Sequence, residues 1–309
     1  VTRRVPFKIA LIGASGLLGR AISNELGGQA GWQLVRTTFS RGDVDSVALD
    51  IREEAAVRSF VAREAPDAII VTAAERRPDV CENDPALARA LNVDAVRVIA
   101  DAAKSIGAWV LSMSTDYVFD GTQAPYEPGD APSPLNAYGR SKLEGERALL
   151  ESGANACVLR LPLLYGPVID WNESAVTSLT PAIVRSADAN TNPAMMDAWA
   201  IRYPTFTPDV AIVVRQMLER HVNGTAITGI EHWSADEPTT KFQIAQCIAQ
   251  VLNIRARLVA QTLPADTTPR PRDCHLTSDR LDAWQIGHRT PFEQAIRVVL
   301  AGWPRAGVD

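Results

Sequence analysis

The sequence offers no pattern for a metal or a disulfide framework. Its four cysteines, Cys81, Cys157, Cys247 and Cys274, form no C-x-x-C pair, and His221, His232, His275 and His288 lack metal-ligand spacing. A basic surplus is also lacking: the formal net charge is -5, and no Lys/Arg-rich run offers a local exception. That excludes the electrostatic footprint of a nucleic-acid binder. No apolar run approaches the roughly 18 to 20 residues that cross a bilayer. The start, "VTRRVPFKIALIG", passes into a strand-like segment without a small-residue cleavage site, so a cytoplasmic protein is expected.

What is present is a chain of 309 residues, 46% hydrophobic, long enough for one large domain or two lobes. Short β-branched runs alternate with amphipathic stretches through the first half. Strands are expected at 7–13, 32–39, 46–50, 67–74, 108–114 and 156–162. The alternation predicts a doubly wound α/β fold, with a parallel sheet covered by helices on both faces. After Gly166 a polar, loop-interrupted insertion breaks the rhythm, and "YPTFTPDVAIVVRQMLERH" resumes it as strand then helix. We therefore expect a dinucleotide-binding Rossmann domain over 1–165 and 203–230, and a smaller substrate-binding lobe over 166–202 and 231–309.

"LIGASGLLGRA" places Gly13, Gly16 and Gly19 between the first strand and the first helix. Such a turn lets backbone approach a pyrophosphate at a helix N-terminus, so Gly13, Ser15, Gly16, Leu17 and Leu18 are candidate cofactor contacts. The end of the second strand selects the cofactor. "TTFSRGD" carries Arg41 where NAD binders place an acid, and Arg20 follows the last glycine, so NADP(H) is expected over NAD(H), with Asp43 the contrary sign. Asp50, beside Ile51, either faces the adenine edge or caps the following helix.

In "NAYGRSKLEGE", Tyr138 and Lys142 stand four residues apart and would share a helical face. Either they form a solvated surface pair, or the ammonium lowers the phenol pKa so that Tyr138 can exchange a proton with a substrate oxygen. The second reading needs a group to hold that oxygen. "MSTDYVFDG" supplies Ser114, Thr115 and Asp116 at the end of the fifth strand.

In order, the glycine turn, the Ser/Thr after the fifth strand and Tyr-x-x-x-Lys resemble the extended short-chain dehydrogenase/reductase family. "STDYVFDG", "PYEPGDAPSPLNAYGRSKLEGE" and "RPRDCHL" look like its dTDP-4-dehydrorhamnose reductase branch. "AAERRPDVCEN", "ESAVTSL", "HWSADEPTTKFQIA" and "IGHRTPF" are closer still to the NADP-binding regulatory β subunits of methionine adenosyltransferase, and the similarity spans nearly the whole chain. The resemblance implies Thr115 as hydroxyl donor, Tyr138 as proton donor and Lys142 as the residue that holds the nicotinamide ribose. It places Ala73, Ala74, Asn92, Ser114, Pro162 and Leu163 along the cofactor.

The substrate side departs from the sugar-reductase pattern. Leu163 stands where those reductases carry a tryptophan, and Asp273 and Cys274 replace the Asn and Ser of their C-terminal R-P-x-N-S motif. Asp116, Tyr117 and Arg272 remain pocket candidates, although Tyr117 also suits a core position. Glu75, a further pocket candidate, follows the fourth strand with Arg76 and Arg77, and the two arginines either meet an anionic substrate or a protein partner or form part of a solvated loop. The first functional reading is an NADP-dependent reductase of a small carbonyl compound, such as a nucleotide-linked 4-keto sugar. The second is a regulatory subunit whose partner is a methionine adenosyltransferase catalytic subunit, although the tail of such subunits continues beyond the final helix and this sequence ends at "GWPRAGVD". A homodimer is a further assembly to expect. An epimerase or dehydratase ranks lower, because no extra base stands beside the Thr, Tyr and Lys.

Overall fold

The computed structural model describes residues 6–39, 42, 44–264 and 268–304. Seven parallel strands form the central sheet: β1 (Phe7–Ile12), β2 (Trp32–Thr38), β3 (Ser46–Ala48), β4 (Ala68–Val71), β5 (Trp109–Thr115), β6 (Ala156–Leu161) and, after three strands outside it, β10 (Gly229–His232). Their order is β10-β6-β5-β4-β1-β2-β3. β4 and β5 are buried along their whole length, as strands covered on both faces must be. β1 pairs with β2 on one side and β4 on the other, so the winding reverses between β1 and β4. A doubly wound sheet binds its ligands outside the carboxyl ends of the strands at that reversal.

The helices of the sheet layers are α1 (Leu17–Leu26), α2 (Glu54–Glu64), α3 (Pro78–Asn83), α4 (Pro85–Arg89), α5 (Ala95–Ile106) and α6 (Ala137–Glu151). A π-helical turn, Ala90–Asp94, joins α4 to α5. Leu18, Ile22 and Leu26 of α1 pack with Leu11, Trp109, Val214 and Met217 on one face of the sheet. On the other face Phe60, Ile99 and Leu149, from α2, α5 and α6, cover Ile12, Ile69 and Val110.

The six strands expected from the sequence all form, with no end moved by more than three residues. Beyond them the chain makes short two-stranded pairs: β7 (Leu164–Tyr165) with β9 (Thr205–Phe206), and β8 (Ala194–Asp197) with β11 (Leu258–Gln261). Helices α7 (Thr180–Arg185), α8 (Thr207–Val222), α9 (Lys241–Val251), α10 (Asp279–Ala283) and α11 (Phe292–Leu300) follow, with 3-10 turns at Asp116–Val118, Trp171–Glu173 and Thr177–Leu179. Tyr165, Ile183, Ile244, Ile248, Phe292 and Ile296 form a separate core for this part.

β9 pairs outside the central sheet, while α8 returns to pack beside α1. The expected domain division between residues 230 and 231 falls inside β10, the seventh strand of the sheet. Leu281 and Ile286 from the C-terminal region likewise join the core on the α1 face. Among the described residues no helix is long and apolar enough to cross a membrane.

Candidate active site

At the end of β1, Gly13 takes φ +91°, a left-handed conformation that side chains disfavour. A Cβ there would stand 2.7 Å from the Ala73 nitrogen and 2.8 Å from Thr72 Oγ1. The Thr72 hydroxyl donates to the carbonyls of Ile12 (2.9 Å) and Gly13 (3.1 Å), stapling the turn to β4. Gly16 is the N-cap of α1 and has no side chain to cover the first N–H groups. Those donors are open to an anion at the helix N-terminus. Leu17 lines the cleft beside them, whereas Leu18 is turned into the core.

The cleft, of about 420 Å³, is lined by Ser15, Leu17, Arg20, Arg36, Thr38 and Ser46 among others. Arg20 is already engaged. Its Nη1 donates to the Ser15 carbonyl (2.8 Å) and Glu173 Oε1 (3.2 Å), and its Nη2 donates to Glu173 Oε2 (2.6 Å) and the Pro167 carbonyl (3.4 Å). Arg41 and Asp43 lie outside the described residues. Ile51 is buried in the core. Asp50 is not the helix cap, since Glu53 holds that position. Its carboxylate accepts the Arg52 backbone N–H (3.0 Å) and the Arg52 guanidinium (2.6 Å at Nη2), whose side-chain bond holds its pKa below the usual range.

Past β4, Ala73 and Ala74 are half-buried and lead into a braced loop. The Asn92 amide, on the π-helical turn, accepts the Glu75 N–H and donates to the Glu75 carbonyl, both at 2.9 Å, and also donates to Ser141 Oγ at 3.0 Å. Asn92 therefore serves this loop's backbone. The Glu75 carboxylate is buried and accepts Arg77 Nε (2.8 Å) and Nη2 (2.6 Å). Burial pushes that carboxyl up, but the Arg77 bonds outweigh it and leave its pKa lowered. Arg76 is exposed.

α6 carries Tyr138 and Lys142. Asn136 caps the helix by accepting the Gly139 N–H (2.9 Å), and its own amide donates to the Pro269 carbonyl (2.9 Å). Glu82 accepts the N–H of Ala137 at 2.6 Å. The Tyr138 phenol lies beside the Thr115 hydroxyl, and its ring meets that of Tyr117 edge-on at 6.0 Å.

The expectation that Lys142 lowers the Tyr138 pKa is not met. Burial pushes the phenol up, and the neighbouring Thr115 hydroxyl only opposes it. Lys142 Nζ donates instead to the Met113 carbonyl at 2.7 Å. Burial draws the lysine down to about 8, against the charge of Glu146.

The Ser114 hydroxyl donates to Glu146. Glu146 also accepts the Arg160 guanidinium at 2.7 Å, and Arg160 reaches His232 Nε2 at 3.4 Å. This charge-paired chain ties α6 to β5, β6 and β10 within the interior.

Thr115 donates to Asp116 Oδ1 at 3.0 Å. Burial raises the Asp116 carboxyl to about 6, opposed by the charge of Arg202 and the Thr115 bond. Arg202, buried and 5.8 Å above the Tyr117 ring, donates to the Pro271 (3.0 Å) and Arg272 (3.3 Å) carbonyls. Arg272 is exposed; Asp273 accepts the His275 N–H at 3.1 Å, and Cys274 is buried with its thiol toward the Phe119 carbonyl. Pro162 is buried and Leu163 packs against the smaller core. Thr72, Glu82, Asn136, Glu173 and Arg202 are the residues that sequence reasoning missed. Only Asn136, as a helix-cap type ahead of an amphipathic run, carried a readable signal.

Residues 7–303 match the family model described as the RmlD substrate binding domain. The chain is 41% identical over 303 residues to methionine adenosyltransferase 2 subunit beta of Xenopus laevis, covering 97% of this chain and 89% of that protein. It is 31% identical over 286 residues to dTDP-4-dehydrorhamnose reductase of Salmonella typhimurium, covering 84% and 92%. Among solved structures, a dTDP-4-dehydrorhamnose reductase from Clostridium acetobutylicum superposes with a TM-score of 0.82 at 26% identity, covering 95% of this chain and 98% of that one.

Proposed function

The chain belongs to the RmlD substrate binding domain family, and on that premise we propose that it is an NADP-dependent reductase of a small carbonyl compound, with a nucleotide-linked 4-keto sugar as the substrate class. The residues fit the cofactor. The uncapped N-terminus of α1, the Gly13 turn where a Cβ would collide, and the cleft with Arg36 and Thr38 together suit a dinucleotide with a phosphorylated adenosine ribose. When bound, the reduced nicotinamide supplies hydride.

The protein's part is to hold the carbonyl and deliver a proton. The observation that carries this reading is the placement of the Tyr138 phenol beside the Thr115 hydroxyl at the carboxyl edge of the sheet, with Lys142 tied to the same strand. A substrate oxygen bound there accepts from the Tyr138 phenol, and from the Thr115 hydroxyl once that proton turns from Asp116. Because burial raises the phenol pKa, Tyr138 stays protonated at neutral pH and is ready to act as the acid. Lys142, bonded to β5, fixes the turn of α6 from which Tyr138 projects. The exposed Arg76 and Arg272 at the same edge suit a diphosphate.

The test is NADPH consumption with dTDP-4-dehydrorhamnose and a panel of small ketones, comparing wild type with Tyr138→Phe. The reading predicts turnover that the variant lowers by about 10²- to 10⁴-fold, the usual yield of a positioned proton donor. No turnover above the variant's for any carbonyl would overturn it.

The second reading is an NADP-binding subunit that joins a methionine adenosyltransferase catalytic subunit, and the 41% identity over 97% of the chain favours it. Co-purification with such a subunit, together with an effect on its kinetics, supports this reading. Failure of the two proteins to associate at micromolar concentration removes it.

A further inference from the structure

Arg20 is half-buried and lines the cleft that would receive the adenosine end of a dinucleotide, yet its guanidinium is turned to the protein. Each of its two terminal nitrogens donates twice, to Ser15 and Glu173 from one and to Glu173 and Pro167 from the other. Glu173 is buried, and its Oε2 also accepts the Ile169 N–H at 3.0 Å. One carboxylate thus closes the 167–173 loop on itself and locks it to the glycine turn. A fork-to-fork pair of this kind leaves only Nε–H of the arginine unspent. Nearby, Trp171 packs edge-on against Trp303 at 4.6 Å, so the loop is held from its outer side as well.

We propose that Glu173 sets cofactor selectivity: it withholds Arg20 from a 2′-phosphate and uses it to clasp the 167–173 loop over the dinucleotide cleft. The proposal rests on the reading that this cleft takes a nicotinamide dinucleotide. Selectivity for the phosphorylated cofactor then falls to other cations, of which Arg36 lines the same cleft. Opening the clasp would return Arg20 to the phosphate. A charge-assisted hydrogen bond of ordinary strength corresponds to about a tenfold gain in affinity.

The experiment measures dissociation constants for NADPH and NADH by equilibrium titration, and amide exchange of the 166–176 segment without dinucleotide. The proteins compared are wild type, Glu173→Gln, Arg20→Ala and the double variant. Glu173→Gln is expected to speed exchange at the Ile169 amide and to raise the NADPH-to-NADH affinity ratio about tenfold. In the double variant the faster exchange should persist while the ratio returns to the wild-type value.

Faster exchange with an unchanged ratio in Glu173→Gln would overturn the selectivity role and leave Glu173 a structural residue. A tenfold fall of the ratio in Arg20→Ala alone would overturn it differently, by showing that Arg20 already serves the phosphate. Unchanged exchange with normal dinucleotide binding would remove the clasp. A wild type that binds neither dinucleotide would instead overturn the functional reading and, with it, the selectivity role, while the exchange result would still decide the clasp.

Discussion

Lys142 donates from α6 to the carbonyl of Met113 on β5 at 2.7 Å, two residues ahead of Thr115 on the same strand. The helix bearing the phenol is thereby tied to the strand bearing its hydroxyl partner. Lys142→Met leaves that buried carbonyl without its donor, which costs about 1–3 kcal/mol. The expected outcome is a lower Tm without NADPH and, under the cofactor reading, a smaller rise of Tm on adding it. Thermal unfolding with and without the dinucleotide measures both, and an unchanged Tm would contradict the tie.

Asp116 gives a pH dependence of definite sign. Its folded pKa of about 6 lies above the ordinary 3.8, so the folded state holds this proton more tightly. The stability that follows is fully present below about pH 4 and is lost as pH rises through about 6. Asp116→Asn removes the titration, so the variant should gain on wild type by roughly 3 kcal/mol across that window and then run parallel. Denaturant midpoints at several pH values test this. A variant that loses ground with rising pH would show the carboxylate to be the favoured form.

Gly139 sits where α6 crosses the turn that follows β5. A Cβ at this position would run into the Tyr117 carbonyl and stand 2.9 Å from Pro134 Cβ. Gly139→Ala should therefore shift the start of α6 and cost about 1–3 kcal/mol, as overpacking does. Because Tyr138 is the adjacent residue, activity should fall more than the loss of stability explains. Activity per folded molecule, from circular dichroism and kinetics on one sample, checks it; a fully active variant of normal Tm would contradict the close contact.

Arg41 carries the sequence-based expectation of NADP over NAD and lies outside the described residues. Arg41→Ala should weaken NADPH about tenfold and leave NADH unchanged, the loss of one charge-assisted contact. Equal NADPH affinity in variant and wild type would pass that role to Arg36.

The sheet was readable where strands are apolar throughout, as "KIALI" and "AIIV" are, because burial on both faces leaves an unbroken hydrophobic run. β10 was not readable as its seventh strand. Glu231 and His232 look like surface residues, and their burial becomes intelligible only with Arg280 at 2.9 Å from the one and Arg160 at 3.4 Å from the other. The site divides in the same way. Tyr138 and Lys142 were legible because four residues on a helix fix their relation locally. The partner of Arg20 lies 153 residues away in an aperiodic loop, and no local pattern signals such a pairing. Even the Tyr138–Lys142 spacing left the direction of the phenol pKa unsettled, since burial depends on the surrounding chain.

Isotope transfer tests the central claim most directly. Wild-type protein is mixed in a single turnover with NADPH deuterated at the transferable position and dTDP-4-dehydrorhamnose, and the product is examined by mass spectrometry. The account predicts an alcohol product carrying the deuterium on the former carbonyl carbon with wild type, and a strong reduction of that product with Tyr138→Phe. NADPH bound by the protein with no labelled product from any carbonyl supplied would contradict it.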